Sequence, residues 1–188
     1  MPRISAATVA DHRASQHAAL LEAAIEILNS EGHAALTPAA VGARVGLARS
    51  SVYRYFSSTA DILAQLAEEA IPRWTARLRS AAADGGVRAF GLTTLTFVHS
   101  RDYVLLRTFA SIDVPAGCQA RLDELHAAMV EPLRDLAAAQ GHPHPSLLAH
   151  LGWSILGEGS RQLAAGGDPA VVIETTLDVL CRAMLTSR

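Results

Sequence analysis

Lysine is absent from the 188-residue chain: all 16 basic residues are arginine, and against 18 acids they leave a net charge of −2. A balance so close to neutral excludes a protein that coats polyanions through diffuse positive charge. The missing lysine reflects codon bias in a GC-rich genome, or a preference for planar phosphate pairing. Only two cysteines occur, Cys118 and Cys181, far apart in sequence. Such a pair suits a reduced, cytoplasmic setting, each thiol acting as a small buried hydrophobe. There is no secretory leader, no apolar run of membrane length, no internal repeat and no alternating strand pattern of useful length. Nucleophile elbows, phosphate loops, dinucleotide glycine fingerprints and paired carboxylates on one face are all missing, so the chain is read as no enzyme and as needing no cofactor.

What is present is apolar and helical in period. Half of the residues are hydrophobic and mean hydropathy is +0.21, enough for a sizeable core. Glycine and proline fall mostly between periodic segments, which predicts an all-α protein.

The most informative stretch runs from Thr37 to Phe56. Thr37 can cap a helix that has Pro38 at its first position, where a missing N–H costs nothing. Ala40, Val41, Arg44 and Val45 follow at helical spacing, and Gly46 marks a turn that disfavours a side chain. Val52 and Phe56, four apart, form the buried edge of a second helix. Its outer edge is Arg49, Ser50, Ser51, Tyr53, Arg54 and Tyr55, with no acid among them. This is a helix-turn-helix whose second helix has the side chains to read a major groove: arginine for guanine, hydroxyls for bases or phosphates, tyrosines for the backbone. An ordinary helical hairpin with a solvated basic face is the competing explanation of the motif alone.

The flanking residues favour the first reading. The helix Ala19 to Leu28, Glu31-Gly32, Thr37, Val41, Gly46-Leu47, Val52-Tyr53, Tyr55-Phe56 and Ile62-Leu63 resemble the N-terminal domain of the TetR family of bacterial transcriptional regulators. The resemblance spans Ala18 to Leu63 and departs at three places: Gly42 for the usual alanine, Ala48 for a capping serine and Thr59 for a phosphate-facing lysine. A glycine inside a helix costs about 0.5–1 kcal/mol and an uncapped N-terminus about 1 kcal/mol. Losing the lysine removes a phosphate contact and shifts the grip to arginines and tyrosines.

Charge is unevenly spread, with five arginines and four acids up to Ala60 and 11 arginines against 14 acids beyond it. Residues 1 to about 16 are polar and read as a flexible arm, from which Arg3 and Arg13 could reach DNA. A helix is predicted from His17 to Asn29, with Leu20, Leu21, Ala24, Ile25 and Leu28 on one face. A connector runs from Ala60 to Ala83, kinked or restarted by Pro72, and ends at Asp84-Gly85-Gly86. Five helices follow: Ala89–Ser100, Asp102–Ile112, Gly117–Gln140 broken by Pro132, Pro145–Ala165 and Pro169–Thr186. The expected domains are 1–59, a three-helix DNA-binding unit with its arm, and 60–188, a helical bundle for ligand binding and dimerisation.

The last two helices carry long apolar faces, Leu147, Leu148, Leu151, Ile155 and Leu163 on one and Val171, Val172, Ile173, Leu177, Leu180 and Leu185 on the other. Gly157 and Gly159 would admit a close partner helix, and the family resemblance implies a four-helix homodimer contact here, with a monomer core as the alternative. Phe97, Tyr103, Phe109, Met129 and Trp153, with Trp74, are candidates to line a small-molecule site, and His99, Arg107 and His126 to orient its occupant; core packing explains them equally well. His142 and His144, with His150, His126 and Cys118, lack a second ligand pair at metal spacing, so no metal site is expected.

The expected function is a homodimeric repressor of a palindromic double-stranded DNA operator, released by a small apolar effector. The alternatives are a ligand-independent or activating DNA-binding regulator, and a helical protein that binds small molecules or metal without regulating DNA.

Overall fold

The computed structural model describes residues 6–109 and 116–185, and among these the only regular elements are helices. Two compact units are formed, one from the described residues of Met1–Glu68 and Val104–Arg121, the other from those of Glu69–Tyr103 and Leu122–Arg188.

The first unit opens with α1, Ala6–Ser30. This corrects the expected flexible arm: from Ala6 the chain is already helical, and Arg13 stands on that helix. Alanine recurs at 6, 7, 10 and 14, and no glycine or proline interrupts the 25 residues, so the helix extends N-terminally from its buried stripe. Leu20, Leu21, Ala24, Ile25 and Leu28 are buried as the periodicity predicts, joined by Ala23 and Ile27. Both the Glu31 and Gly32 N–H groups donate to the Ile27 carbonyl and end the helix. A 3₁₀ turn at His33–Ala35 then leads to α2, Pro38–Arg44. The Thr37 hydroxyl accepts the Ala40 N–H at 3.1 Å, with Pro38 in the first turn.

Gly46 adopts φ +70°, the left-handed conformation that the turn requires. The chain re-enters helix as α3, Arg49–Val52. The helix is shorter than expected because it tightens at once: the Arg54 and Tyr55 N–H groups reach back three residues, to Ser51 and Val52. Ala48 provides no side-chain cap, and the serines, Val52 and the tyrosines are weak helix formers. Val52 and Phe56 are nonetheless fully buried, with Leu20, Leu28, Leu36, Val41, Ile62 and Leu63.

The helix α4, Thr59–Thr96, passes through Pro72 and leaves helical geometry only at Gly85 and Gly86. Gly86, at φ 61° and ψ −147°, occupies a region that side chains avoid, so the break falls at the predicted Asp84-Gly85-Gly86 and not at the proline. Phe97–His99 of the second unit forms a 3₁₀ turn; α5, Tyr103–Phe109, belongs to the first unit from Val104 onward, as does the start of the next helix up to Arg121. Then come α6, Ala116–Ala139, α7, Pro145–Ala164, and α8, Pro169–Met184, the last capped by the Asp168 carboxylate. Pro132 does not break α6: the helix runs from Ala116 to Ala139 through it, and Pro132 is buried, as are Met129, Val130 and Leu133.

The apolar residues of α7 and α8 divide between two surfaces. Leu148, Leu163, Leu177 and Leu180 are buried, whereas Leu147, Leu151, Val171, Val179 and Leu185 are exposed. A Cβ on Gly159 would lie 2.6 Å from Thr176 of α8, so this glycine serves packing inside the protomer; at Gly157 the nearest atom is Arg161 Nη1, 3.8 Å away. The expectation that Gly159, Leu177 and Leu180 face a partner is thereby corrected. None of the described helices is long and apolar enough to cross a membrane.

Gly42 explains one departure from the usual pattern. A Cβ there would stand 2.3 Å from Val52 Cγ2, so α2 and α3 approach within a distance that only glycine allows. Gly42→Ala should therefore destabilise the protein by about 1–3 kcal/mol despite alanine's better helix propensity. Adding Val52→Ala should recover part of the overpacking loss, giving non-additive urea-unfolding free energies.

Candidate nucleic-acid interface

On α3 and the turn that follows it, Arg49, Ser50, Tyr53 and Arg54 are exposed, while Ser51 and Tyr55 are half-buried. Arg49 and Tyr53 lie four apart and form a pair. The guanidinium sits 5.6 Å from the ring centroid, and Nη2 donates to the tyrosine hydroxyl at 3.3 Å. The pairing presents an arginine fork and a phenol side by side with reduced rotamer freedom, the chemistry that suits a guanine edge beside a phosphate. Arg44, on the preceding helix, pairs instead with Glu26 of α1 and with Glu31 just after it. Thr37 is exposed at the start of α2, its hydroxyl committed to the cap.

Tyr55 is set back from this surface. Its ring stacks on His17 at 6.0 Å, the Arg13 guanidinium lies 6.0 Å from its centroid, and its hydroxyl donates to Gln16 Oε1 at 2.9 Å. Three residues of α1, at 13, 16 and 17, thus converge on one tyrosine. That i, i+3, i+4 spacing was the available sign that the polar N-terminal segment is helical.

Beyond Phe56 the chain closes through side-chain caps. Thr59, which occupies the position of the usual lysine, donates its hydroxyl to the Leu36 carbonyl at 2.9 Å. Asp61 accepts the Ser57 N–H at 2.7 Å and the Ser57 hydroxyl at 3.0 Å, and the Asp61 N–H donates to Ser58 Oγ. Burial works to raise the Asp61 pKa, but hydrogen bonds from the Ser57 N–H, the Gln65 amide and the Ser57 hydroxyl outweigh it and hold the carboxyl below its ordinary 3.8.

The residues considered for a small-molecule site lie in different surroundings. Phe97 is buried, stacked on Trp74 with centroids 3.9 Å apart and met edge-on by Tyr103, whose hydroxyl donates to the Ser160 carbonyl at 3.3 Å. A second group joins Trp153, half-buried, to Phe90 at 6.3 Å and to His126 at 5.6 Å. His126 is exposed as a residue, yet desolvation of its ring and the nearby His150 lower its pKa against the opposing charge of Asp123. Met129 is buried on α6; His99 and Arg107 are exposed, contrary to a core placement for His99. The side chains of Phe109 and Cys118 lie outside the described residues. Sequence reasoning passes over Phe90 and Thr75, the latter buried with a hydroxyl that has no hydrogen-bond partner among the described residues.

Because the folded-state pKa of Asp61 is depressed, its stabilising contribution is complete above the unfolded value and is lost as pH falls through the folded one. Asp61→Asn should be less stable than wild type near neutrality, and the gap between their urea midpoints should close as pH is lowered past about 4. Parallel unfolding curves across the acid range check this.

A model of bacterial regulatory proteins of the tetR family matches residues 20–66, the segment from the buried face of α1 to the second turn of α4. No curated protein matches the chain in sequence. Among solved structures it is similar to the regulatory protein SCO4313, 22% identical over 96% of this chain and 98% of that one, with a TM-score of 0.73. It is similar also to the fatty acid degradation regulator FadR from Bacillus halodurans, at 14% identity, 88% and 94% coverage and a TM-score of 0.70. A third similar structure is SmeT in complex with triclosan, at 17%, 92% and 93%, with a TM-score of 0.64. At these identities the likeness establishes a shared fold over almost the whole length. Residues 20–66 thus match the DNA-binding segment of the tetR family of bacterial regulatory proteins, on a fold shared with these regulators over almost the whole chain.

Proposed function

We propose that this regulator is a cytoplasmic homodimeric repressor that grips a palindromic operator through residues 1–59 and is released when residues 60–188 bind a small, largely apolar molecule. The observation that carries the DNA-reading part is the exposed Arg49–Tyr53 pair on a helix whose outer side chains include no acid. Arg49 reads a base; Tyr53, Arg54 and Ser50 hold the backbone or neighbouring base edges, with Thr37, Ser51 and Tyr55 supporting them.

Dimerisation is supported by the exposed side chains Leu147 and Leu151 on α7 and Val171 and Val179 on α8, each spaced by one or two helical turns. A helix-turn-helix reader used on two half-sites needs a symmetric contact of this kind. The effector reading is supported by the aromatic groups around Trp74, Phe97 and Tyr103 and around Phe90, Trp153 and His126, and by the unpartnered Thr75 hydroxyl as a polar handle. That the similar SmeT was solved with triclosan agrees with a small, apolar occupant. Release follows if the effector binds a conformer unsuited to operator better than the DNA-bound one, and the coupling is then equal in both directions.

Arg49→Ala should relax preference at one operator position by about 1–3 kcal/mol, while Tyr53→Phe should weaken all duplexes alike. Titration of single-base variants of a duplex selected from a random pool tests this; an unchanged preference profile for Arg49→Ala would refute the assignment. For the dimer, Val179→Asp should give a folded monomer in light scattering, because it places a charge on an exposed helix face. Leu180→Asp should instead unfold the protomer, because that residue is fully buried. A Val179→Asp protein that remains dimeric removes α8 from the interface.

A further inference from the structure

Gln65 lies on the second turn of α4, and its side-chain amide joins three parts of the first unit. Nε2 donates to the Tyr55 carbonyl at 3.1 Å and to Asp61 Oδ1 at 2.9 Å, and Oε1 meets His17 Nε2 of α1 at 2.7 Å. Both amide hydrogens are used, each on an acceptor that cannot be replaced by a donor. The orientation of the amide is therefore unique, since a flip would set its oxygen against a carbonyl and a carboxylate. His17 must then donate from Nε2, which its neutral Nε2–H form and its charged form both do. The bridge does not depend on the His17 charge.

The Tyr55 carbonyl is the far end of the tightened turn that carries Tyr53 and Arg54. Its ring and hydroxyl are held by His17 and Gln16, so the carbonyl contact is what ties the same residue to α4. The α-helical part of the reader is only Arg49–Val52 and lacks a side-chain N-cap, so its own hydrogen bonds fix its direction weakly. We infer that Gln65 is a positioning residue for DNA recognition. Through Tyr55 it sets the angle at which the turn with Tyr53 and Arg54 leaves the body of the unit, and so the fit of Arg49 and Tyr53 to a specific site.

This inference rests on the DNA-reading assignment, and its test separates the two. A preferred duplex is first selected from a random pool with wild-type protein, and affinities for it and for a random duplex are measured for wild type, Gln65→Met and His17→Phe. Methionine keeps the length and removes every hydrogen bond without altering charge. Phenylalanine keeps a ring against Tyr55 and Phe56 and removes only the bond to Gln65. Gln65→Met should lower the ratio of specific to random affinity about tenfold, the scale of one or two lost hydrogen bonds, while random-duplex affinity stays at the wild-type level. His17→Phe should lower it less.

A purely structural role predicts the opposite pattern: a lower melting temperature with the affinity ratio unchanged. That result for Gln65→Met overturns the proposal. Should Gln65→Met fail to fold, an unchanged ratio for folded His17→Phe overturns it equally. A wild-type protein that selects no duplex would defeat the DNA-reading assignment itself, and the role of Gln65 with it.

Discussion

A glycine at 42 lets Val52 come against the backbone of α2, where any side chain would be met at 2.3 Å. The close crossing of α2 and α3 follows from that contact, and the placement of α3 depends on the crossing. With only four residues in α-helical geometry and no side-chain cap, α3 has little stability of its own, and tertiary packing of Val52 and Phe56 holds it. A position that looks like a loss of helix propensity is in fact a gain in packing: about 1 kcal/mol of local preference is exchanged for access of Val52 to a fully buried site.

The buried half of this unit was readable in the sequence because it obeys helical period. Leu20, Leu21, Ala24, Ile25, Leu28, Val41, Val52 and Phe56 all fall where spacing puts them, and Thr37 caps as its position before a proline predicts. The polar half was not readable in the same way. Residues 6–16 carry no apolar stripe, so periodicity was silent about a helix sustained by alanine content. The role of Tyr55 is obscured for a related reason: its partners Arg13, Gln16, His17 and Gln65 are polar and up to 42 residues distant from it in sequence, and although 13, 16 and 17 share a helical spacing, nothing in that spacing points to Tyr55.

In the second unit the limit is of another kind. Leu177 and Leu180 differ from Val171 and Val179 by rotation about one helix, and the pattern of α8 is apolar on more than one face. Composition shows a surplus of apolar surface, but which residues enter the protomer core depends on the approach of neighbours. Those approaches are set by glycines: Gly91 admits Leu177, Gly152 admits Leu133 and Leu180, and Gly159 admits Thr176. A small residue on a helix announces close packing without naming the partner, and Gly159, which by sequence suits a second copy equally well, serves the protomer. The prolines carry the same lesson. Pro72 and Pro132 stand within helices that continue past them, and the break comes at Gly86, whose backbone angles exclude a side chain.

The charge distribution bears on how such a regulator can discriminate. The chain is net negative, Arg44 is neutralised by Glu26 and Glu31, and Thr59 turns its hydroxyl to the Leu36 carbonyl where a cation would face phosphate. Under the proposed DNA-reading role few charges would remain for sequence-independent attraction, so a low non-specific affinity is expected, because that affinity scales with the phosphates neutralised. Base and shape contacts must carry a larger share of the total, and these depend on angle and distance far more steeply than a charge near a polyanion does. If α3 reads DNA as proposed, the hydrogen bonds that aim it would matter as much as the residues that touch the DNA.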